Sequence, residues 1–362
     1  MVGIPETAGN LTGAWLTQAI RAFGRPDWPE ISSVSLERVG EGVGVLTEIY
    51  RLTLGYAGSA QGPKTLIAKF PTTHPDMRAL SVGYNFYERE VVFYRDIAAT
   101  IRTRTAICYW AGIDLASQNF ILLLEDLSYA TGGDQITGLS LPQISLAVDQ
   151  VAALHSRWWN APELKALEGP VPPHDTDPWD TFSERHAHAW KMVSPWMKDR
   201  IGPDMYRVGE RMCSDLTGLA RQNSIGPRTL CHGDFRADNM MFHQDAGATD
   251  LIVLDWQIML QGRGAFDIGY LMSASVTPEV RRDQEMDLLR RYHDLLTADG
   301  VEDYDFDECL HDYRRALLMG FTYAVQAGMA DVTHARTAAL VTAMATRCEA
   351  ACHDLGLEEF LP

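Results

Sequence analysis

Residues 231–257 constrain the fold of this chain more than any other stretch, because concentrated polar groups lie there between apolar runs. A wholly apolar run at residues 251–254 is typical of a short buried strand. The run ends at Asp255, which places a carboxylate at the edge of the predicted sheet, where a ligand can reach it. The polar segment before the run contains His232, Asp234, Arg236, Asp238 and Asn239.

The spacing of these polar residues suits phosphate chemistry. Four residues separate Asp234 from Asn239, so a tight loop can aim both side chains at one point. Asp255, which arrives from the next strand, would complete a set of oxygen ligands for Mg²⁺, an ion that takes its remaining ligands from phosphates. Asp234 would then be free to orient a hydroxyl group. Arg236 lies where a cation can contact a transferring phosphate.

This pattern resembles the superfamily of aminoglycoside and choline phosphotransferases, whose members have a protein-kinase-like fold. The glutamine at position 257 and the run L-L-L-E-D-L at residues 122–127 resemble most closely the ecdysteroid-kinase-like (CHK-kinase-like) branch. The alternative interpretation is a polar β-hairpin that buries a histidine and an aspartate. The resemblance rests on His232-Gly233-Asp234, Asn239 and Asp255-Trp256-Gln257.

The resemblance implies an α+β, bilobal protein-kinase-like fold. A small antiparallel-sheet N-lobe is expected at residues 1–127 and a mostly helical C-lobe at residues 128–362. The implied cofactors are ATP and Mg²⁺, and the implied acceptor is a hydroxyl group on a small molecule. Asp234 is then the catalytic residue that takes the hydroxyl proton, and Arg236 stabilises charge on the moving group. Asn239 and Asp255 are the implied metal ligands.

Two features of the predicted N-lobe favour nucleotide binding. Glycines at positions 40, 42 and 44 predict a turn between strands, and Gly42 and Gly44 would let backbone N–H groups approach phosphates. An ordinary glycine hairpin is the alternative. Lys69 lies in the apolar strand of residues 65–70, and a buried ammonium needs a partner. The resemblance implies that Lys69 holds the α- and β-phosphates, whereas a lysine on the solvent face of an edge strand is the alternative.

Residues 82–98 have the spacing of an amphipathic helix and contain two candidate partners for Lys69. Glu90 precedes an apolar run, as the corresponding glutamate does in the resembling family, and is therefore preferred to Glu88. The alternative for either residue is a solvated acid on a helix surface. Pairing with Lys69 would make Glu90 part of the predicted nucleotide site.

The strand predicted at residues 120–124 is wholly apolar, which indicates burial on both faces. It ends in Glu125-Asp126-Leu127, which the resemblance places at the hinge between lobes. Backbone groups of Glu125 and Leu127 would hydrogen-bond the adenine edge there. The side chains of this segment are therefore not predicted to make the contact.

Three features of the second half predict support or substrate contact. His155, in a helix predicted at residues 141–160, is expected to pack and hydrogen-bond beneath the catalytic loop. The resemblance implies that Asp267 braces the same loop. Residues 178–198 are rich in aromatic side chains, which either line an apolar substrate pocket or belong to the core.

Composition excludes several other classes of protein. A chain of 362 residues is long enough for two lobes, and a net charge of −17 disfavours nucleic acid and anionic membrane surfaces as partners. The N-terminus lacks the basic and apolar regions of a signal peptide, and no apolar run approaches the ~20 residues that span a bilayer. Six scattered cysteines suit a reducing compartment, so a cytoplasmic location is predicted.

Together these features predict an ATP-dependent small-molecule kinase. The acceptor stays open between two classes. A hydroxylated apolar compound, steroid- or polyketide-like, fits the tryptophan-rich C-lobe and the hinge, and a cationic alcohol of the aminoglycoside or choline type fits the acidity, although many proteins are acidic without binding cations. A rival of another class is a nucleotide-binding pseudokinase that acts by protein interaction, although every catalytic polar position is filled. A protein kinase is disfavoured because the sequence has no Asp-Phe-Gly motif and no activation segment ending in Ala-Pro-Glu after Asp255.

Overall fold

The computed structural model of the protein describes residues 2–40, 46–174, 181–245 and 247–361, without the side chain of residue 215. Gly42 and Gly44, which were predicted to approach the nucleotide phosphates, lie outside the described residues. Trp179 of the aromatic segment lies outside them as well.

The chain divides into two compact units. Unit 1 consists of Met1–Thr100, Thr105–Ala130 and Leu254–Ile258, and unit 2 consists of Ile101–Arg104, Thr131–Val253 and Met259–Pro362. An antiparallel sheet dominates unit 1 and helices dominate unit 2, so the predicted α+β fold class is confirmed. The predicted N-lobe ended at residue 127, whereas unit 1 extends to Ala130 and also takes in the segment that carries Asp255.

Unit 1 is built on a five-stranded sheet in which all neighbouring strands are antiparallel. The strands are β1 (Ile31–Val39), β2 (Thr47–Tyr56), β3 (Thr65–Pro71), β4 (Cys108–Asp114) and β5 (Asn119–Glu125). Their order across the sheet is β1-β2-β3-β5-β4. Alternate side chains of a strand face opposite sides of a sheet. Leu66, Ala68 and Phe70 of β3 therefore share an apolar core on one face, and Lys69 lies on the other.

The helices of unit 1 cover both faces of this sheet. Helix α1 (Gly13–Ala22) packs into the apolar core, and the side chain of Thr12 caps it by accepting a hydrogen bond from the Trp15 N–H at 3.1 Å. The helix predicted over residues 82–98 is confirmed from Phe86 to Ile97, where α3 (Phe86–Val92) continues as a π-helical turn (Phe93–Ile97), but its start was wrong because residues 82 and 83 end a separate helix, α2 (Pro75–Gly83). Asn85 separates them with a φ of 57°, a left-handed conformation that asparagine tolerates.

Unit 2 combines helices with two small sheets. Strands β6 (Thr131–Gly132), β8 (Met240–Asp245) and β9 (Ala248–Val253) form an antiparallel sheet, and β7 (Thr229–Cys231) pairs with β10 (Leu260–Gly262). Among the helices of the described ranges, none combines the length and the apolar character that crossing a bilayer requires. The helices are α4 (Leu141–Trp158), α5 (Leu164–Leu167), α6 (Phe182–Met197), α7 (Pro203–Gln222), α8 (Ala265–Ser275), α9 (Pro278–Ala298), α10 (Phe306–Ala327) and α11 (Ala335–Leu355).

Helix α8 is the most deeply buried of these, since all 11 of its residues are buried. Gly269 lets α8 lie close to α10, because a Cβ atom at this position would be 2.5 Å from the Cβ of Ala316. The tight packing holds α8 as a rigid support within unit 2.

Candidate functional site

The polar segment predicted from sequence forms a buried loop between β7 and β8 of unit 2, which we call the polar loop (residues 232–239). His232 and Asp234 are 0% and 7% exposed. Between them Gly233 has a φ of 82°, in the left-handed region that glycine adopts without strain. A single 3₁₀ turn, Ala237–Asn239, then leads into β8. The loop therefore holds several polar groups away from water.

The carboxylate of Asp234 accepts hydrogen bonds from three side chains. Its Oδ1 accepts from the Tyr270 hydroxyl at 2.9 Å and from Arg236 Nε at 3.0 Å. Its Oδ2 accepts from Asn239 Nδ2 at 2.8 Å. Burial raises the pKa of Asp234, but the charge of Arg236 and these hydrogen bonds outweigh it and bring the pKa below its ordinary value. Asp234 is thus a fixed, ionised carboxylate at neutral pH.

Helix α8 holds the polar loop by its backbone. The Asp267 carboxylate accepts from the N–H of His232 at 2.6 Å and from the N–H of Gly233 at 3.0 Å. Ser275 Oγ accepts from the N–H of Ala237 at 2.8 Å. The bracing expected of Asp267 is therefore present, and the other end of α8 contributes a second point of support.

His155 lies beneath the loop and links Asp267 to α9. Its Nε2 is 3.1 Å from Asp267 Oδ2, and its Nδ1 is 2.8 Å from the hydroxyl of Tyr292. His155, Asp267 and Cys231 each have one atom that could bind a metal ion, and these three atoms lie within 4.8 Å of one another. Hydrogen bonds already engage both ring nitrogens of His155, so we interpret the group as a support for the loop rather than a metal site.

Arg236 is held by contacts on both sides of its guanidinium group. Besides Asp234, its Nη1 donates to Gln135 Oε1 at 2.7 Å and lies 3.3 Å from Asp238 Oδ2. Asp234 raises the pKa of Arg236 against the opposing effect of burial. Nη2 of Arg236 makes no hydrogen bond to any part of the chain that the structure describes. Arg236 therefore keeps one donor nitrogen for a ligand.

Two contacts of the polar loop, those with Tyr270 and Gln135, were not predicted from the sequence. Tyr270 lies three residues after Asp267, and residues at that spacing share a helix face, so a usable signal was present. Gln135 lies 101 residues before Arg236, and no periodicity connects the two positions. Only the folded chain shows that this buried amide contacts the guanidinium group.

Unit 1 contains a second polar cluster, centred on Lys69. Its Nζ lies 2.7 Å and 2.8 Å from the two carboxylate oxygens of Glu90 and 3.1 Å from Asp255 Oδ1. The partner of Lys69 is thus Glu90 and not Glu88. Lys69 and Glu90 are 7% and 1% exposed. Burial lowers the pKa of Lys69, but Asp255 and Glu90 together raise it above its ordinary value, so the ammonium group stays charged.

Asp255 has an unusual backbone conformation. Its φ of 64° lies in the left-handed region that residues other than glycine rarely adopt. Trp256 anchors the segment by stacking on Phe93, with ring centroids 3.9 Å apart and planes inclined by 6°. Gln257 Nε2 donates to Asp255 Oδ2 at 3.1 Å, and Gln257 Oε1 is buried with no hydrogen-bond partner among the described residues.

In the segment at the end of β5 that is predicted to contact adenine, the side chains of Glu125 and Asp126 bind other residues of unit 1. The Glu125 carboxylate accepts from the Ile107 N–H at 3.1 Å and from the Tyr129 hydroxyl at 2.8 Å. The Asp126 carboxylate accepts from Arg51 Nε at 2.8 Å. In the backbone, the N–H of Glu125 donates to the Ile107 carbonyl at 2.8 Å and the Leu127 carbonyl accepts from the N–H of Ala130 at 2.9 Å. The contact of Glu125 and Leu127 backbone groups with adenine stays a prediction.

We expect Lys69→Met to lower the free energy of unfolding by about 3–5 kcal/mol at neutral pH, because Glu90 is left as an unpaired buried charge. Burial raises the pKa of Glu90 in the folded state. Lys69 opposes this shift, so the pKa of Glu90 rises further in the variant; the loss is largest at high pH and shrinks as pH falls and Glu90 takes up a proton. Urea unfolding between acidic and neutral pH measures it.

The matched control is Lys69→Met/Glu90→Leu, which removes both charges. It should recover most of the lost stability and show little dependence on pH, because apolar groups can replace a buried ion pair at small expense. Equal losses in the single and double variants would contradict a buried charge as the cause.

Comparison with known proteins places these clusters in context. The model of the ecdysteroid kinase-like family matches residues 41–301 of the chain, which include the polar loop and the Lys69 cluster. This is the branch that the motifs of residues 122–127 and 231–257 resemble.

Solved structures share the fold over nearly the whole chain. A protein of the aminoglycoside phosphotransferase type from Ralstonia eutropha has a TM-score of 0.55 at 16% identity, with 96% of this chain and 99% of that chain covered. The GDP complex of aminoglycoside 2′-phosphotransferase-IIIa has a TM-score of 0.54 at 15% identity, covering 95% and 100%. Choline kinase from Cryptosporidium parvum has a TM-score of 0.53 at 10% identity, covering 90% and 91%. Identities this low show a shared fold alone.

Two curated proteins match in sequence, and the chain spans only part of each. Mouse acyl-CoA dehydrogenase family member 10 is 30% identical over 139 residues, which are 36% of this chain and 12% of that protein. The uncharacterized oxidoreductase dhs-27 of Caenorhabditis elegans is 21% identical over 343 residues, which are 86% of this chain and 41% of that protein. These matches are to segments of longer proteins.

Proposed function

Since this chain belongs to the ecdysteroid kinase-like family, we propose that it is a small-molecule kinase that transfers the γ-phosphoryl group of ATP to a hydroxyl group. The proposal rests on one observation: Asp234 has a buried carboxylate that hydrogen bonds from three side chains hold in place. Orienting and deprotonating a hydroxyl group requires such a carboxylate.

In the proposed reaction Asp234 accepts a hydrogen bond from the acceptor hydroxyl. The hydroxyl oxygen forms a bond to the γ-phosphorus, the bond from that phosphorus to the bridging oxygen breaks, and ADP leaves. The hydroxyl proton ends on Asp234. Because the pKa of Asp234 is lowered, the carboxylate is a weak base that takes the proton late, once the new bond has made the hydroxyl acidic.

We assign Arg236 to the charge on the moving phosphoryl group. Its side chain is 24% exposed, and Nη2 is the nitrogen not used by Asp234 or Gln135. A guanidinium nitrogen held in this way can donate to a phosphate oxygen without reorganising.

We assign Lys69 to the α- and β-phosphates, with Glu90 as the residue that holds its ammonium group. An ammonium group has three donors, and the contacts of Lys69 with Glu90 and Asp255 occupy them. The contact with Asp255, at 3.1 Å, is the longest. A phosphate oxygen is therefore expected to replace Asp255, which would free that carboxylate for a cation.

The residues assigned to Mg²⁺ carry oxygen atoms of the right kind. Asn239 uses Nδ2 for its bonds to Asp234, and its Oδ1 accepts no hydrogen bond from the described part of the chain. In unit 1, Asp255 is joined by Gln257, whose buried Oε1 also lacks a partner among the described residues. Carboxylate and amide oxygens suit this ion. When bound, Mg²⁺ would neutralise charge on the phosphate oxygens.

The nucleotide is assigned to backbone groups of Glu125 and Leu127 for adenine and to Gly42 and Gly44 for the phosphates. Support comes from a structural relative of the same fold that was solved as a GDP complex. We choose ATP as the phosphoryl donor because residues 122–127 resemble the ecdysteroid-kinase-like branch, and that resemblance implies ATP.

The relatives offer two classes of acceptor. The family description refers to ecdysteroid kinases, so a hydroxylated apolar compound, steroid- or polyketide-like, is our first candidate. A cationic alcohol is the second, because the net charge is −17 and a fold relative is a choline kinase. The aromatic segment does not decide between them, since Phe182 and Trp190 are core residues with 4% and 6% exposure.

The test is a screen of the purified chain with ATP, Mg²⁺ and a panel of steroids, polyketides, aminoglycosides and choline. We expect mass spectrometry to find one class of acceptor that gains a phosphoryl group while ADP accumulates. Nucleotide binding without transfer or hydrolysis across the whole panel would overturn the proposal and favour a pseudokinase.

A further inference from the structure

We propose that Tyr270 is a positioning residue whose hydroxyl occupies a lone pair of Asp234 Oδ1. The acceptor hydroxyl then binds and loses its proton only at Oδ2 of Asp234. The inference rests on the proposed function and deepens it, because it assigns the atom that receives the proton. It comes from counting the hydrogen bonds that each carboxylate oxygen accepts.

A carboxylate oxygen offers two lone pairs to hydrogen-bond donors. Oδ1 of Asp234 already accepts from the Tyr270 hydroxyl at 2.9 Å and from Arg236 Nε at 3.0 Å. Oδ2 accepts from Asn239 Nδ2 at 2.8 Å, its one donor within the described ranges. A hydroxyl group that approaches Asp234 therefore finds a vacant lone pair at Oδ2 and none at Oδ1.

Packing prevents the Tyr270 hydroxyl from leaving this position. Tyr270 is 2% exposed, and its ring stacks on that of Tyr323 with centroids 4.2 Å apart. Tyr323 is itself anchored, because its hydroxyl donates to the carbonyl of Gly233 at 3.0 Å. Burial also raises the pKa of Tyr270 well above its ordinary value, so the hydroxyl remains a donor at any working pH.

Removal of this hydroxyl has a specific consequence. With one lone pair of Oδ1 vacant, the acceptor can bind at either oxygen, and the carboxylate loses one of the three donors that fix its rotation. Only part of the bound acceptor would then face the γ-phosphorus correctly. Misplacement of a reacting group lowers the rate of the chemical step more than it lowers binding.

The experiment compares Tyr270→Phe with Tyr313→Phe, which removes another buried hydroxyl of unit 2, one that donates to Glu285 at 3.1 Å and does not contact the polar loop. Transfer to the acceptor found in the panel screen is measured for both, together with the affinity for ATP. We expect kcat to fall about 10–100-fold in Tyr270→Phe with KM for ATP within about twofold. Tyr313→Phe should keep kcat within about threefold of native.

A double-variant cycle shows whether Tyr270 acts through Asp234. In the Asp234→Ala background, adding Tyr270→Phe should change the residual rate by less than about twofold, because the carboxylate that Tyr270 positions is absent. A further fall of the same size as in the native background would overturn the inference and indicate a structural role.

A second measurement does not depend on how the variants fold. In a crystal structure of the native chain with its acceptor and a non-hydrolysable ATP analogue, we expect the acceptor oxygen within hydrogen-bond distance of Oδ2. An acceptor placed on Oδ1, or a native kcat in Tyr270→Phe, overturns this inference alone. A native chain that transfers no phosphate overturns the proposed function and this inference with it.

Discussion

Asp234→Ala is expected to lower the turnover number by about a thousandfold or more. The variant removes the group that orients the acceptor and takes its proton, while the Lys69 cluster that we assign to the nucleotide phosphates belongs to the other compact unit. The affinity for ATP should therefore stay within about threefold of native. Single-turnover kinetics measure the first quantity and calorimetric titration measures the second.

The matched control for this variant is Asp250→Ala. Asp250 lies on β9, and its side chain is 54% exposed and pairs with Arg104 at the surface. Removal of an exposed carboxylate of this kind should leave turnover unchanged. Near-native turnover in Asp234→Ala would remove Asp234 from the catalytic role, whatever the acceptor is.

Asp267→Ala is expected to lower the free energy of unfolding by about 3–5 kcal/mol. The variant leaves the buried N–H groups of His232 and Gly233 without an acceptor and removes the partner of His155 Nε2. Buried polar groups that lose their partners retain the full desolvation penalty. Urea unfolding of the purified variant gives the value.

Two further variants show whether these hydrogen bonds are responsible. Asp287→Ala changes an exposed acid on α9 and should shift stability by no more than about 0.5 kcal/mol. Asp267→Asn keeps the shape of the side chain but offers one acceptor oxygen where the aspartate offers two, so it should lie between native and Asp267→Ala. Equal stability of Asp267→Ala and Asp287→Ala would contradict the role of Asp267 as a brace.

Local sequence signals predicted most of the fold because they act over short distances. The apolar run at residues 120–124 appears as the buried strand β5, and residues 278–299 appear as α9, since periodicity reflects burial directly. The polar loop was also found from sequence, because its residues lie within one short segment. The roles assigned to Asp234, Asn239 and Asp255 in catalysis and metal binding stay predictions.

Other features depend on tertiary structure and left little trace in the sequence. The helical spacing of residues 82–98 continues through Asn85, yet the chain adopts a left-handed conformation there. Gln135 reaches Arg236 only because the two distant segments fold together. The φ of Asp255 is likewise set by its surroundings, where Trp256 stacks on Phe93.

The support that α8 provides to the polar loop bears on how the chain would meet its ligand. Three backbone N–H groups of the loop are bound to side chains of one buried helix, so the loop is ordered when unit 2 folds and not when a ligand arrives. The entropy of arranging it is thus lost once, during folding, and does not weaken each binding event. Differences in affinity among acceptors should then reflect contacts made outside residues 232–239.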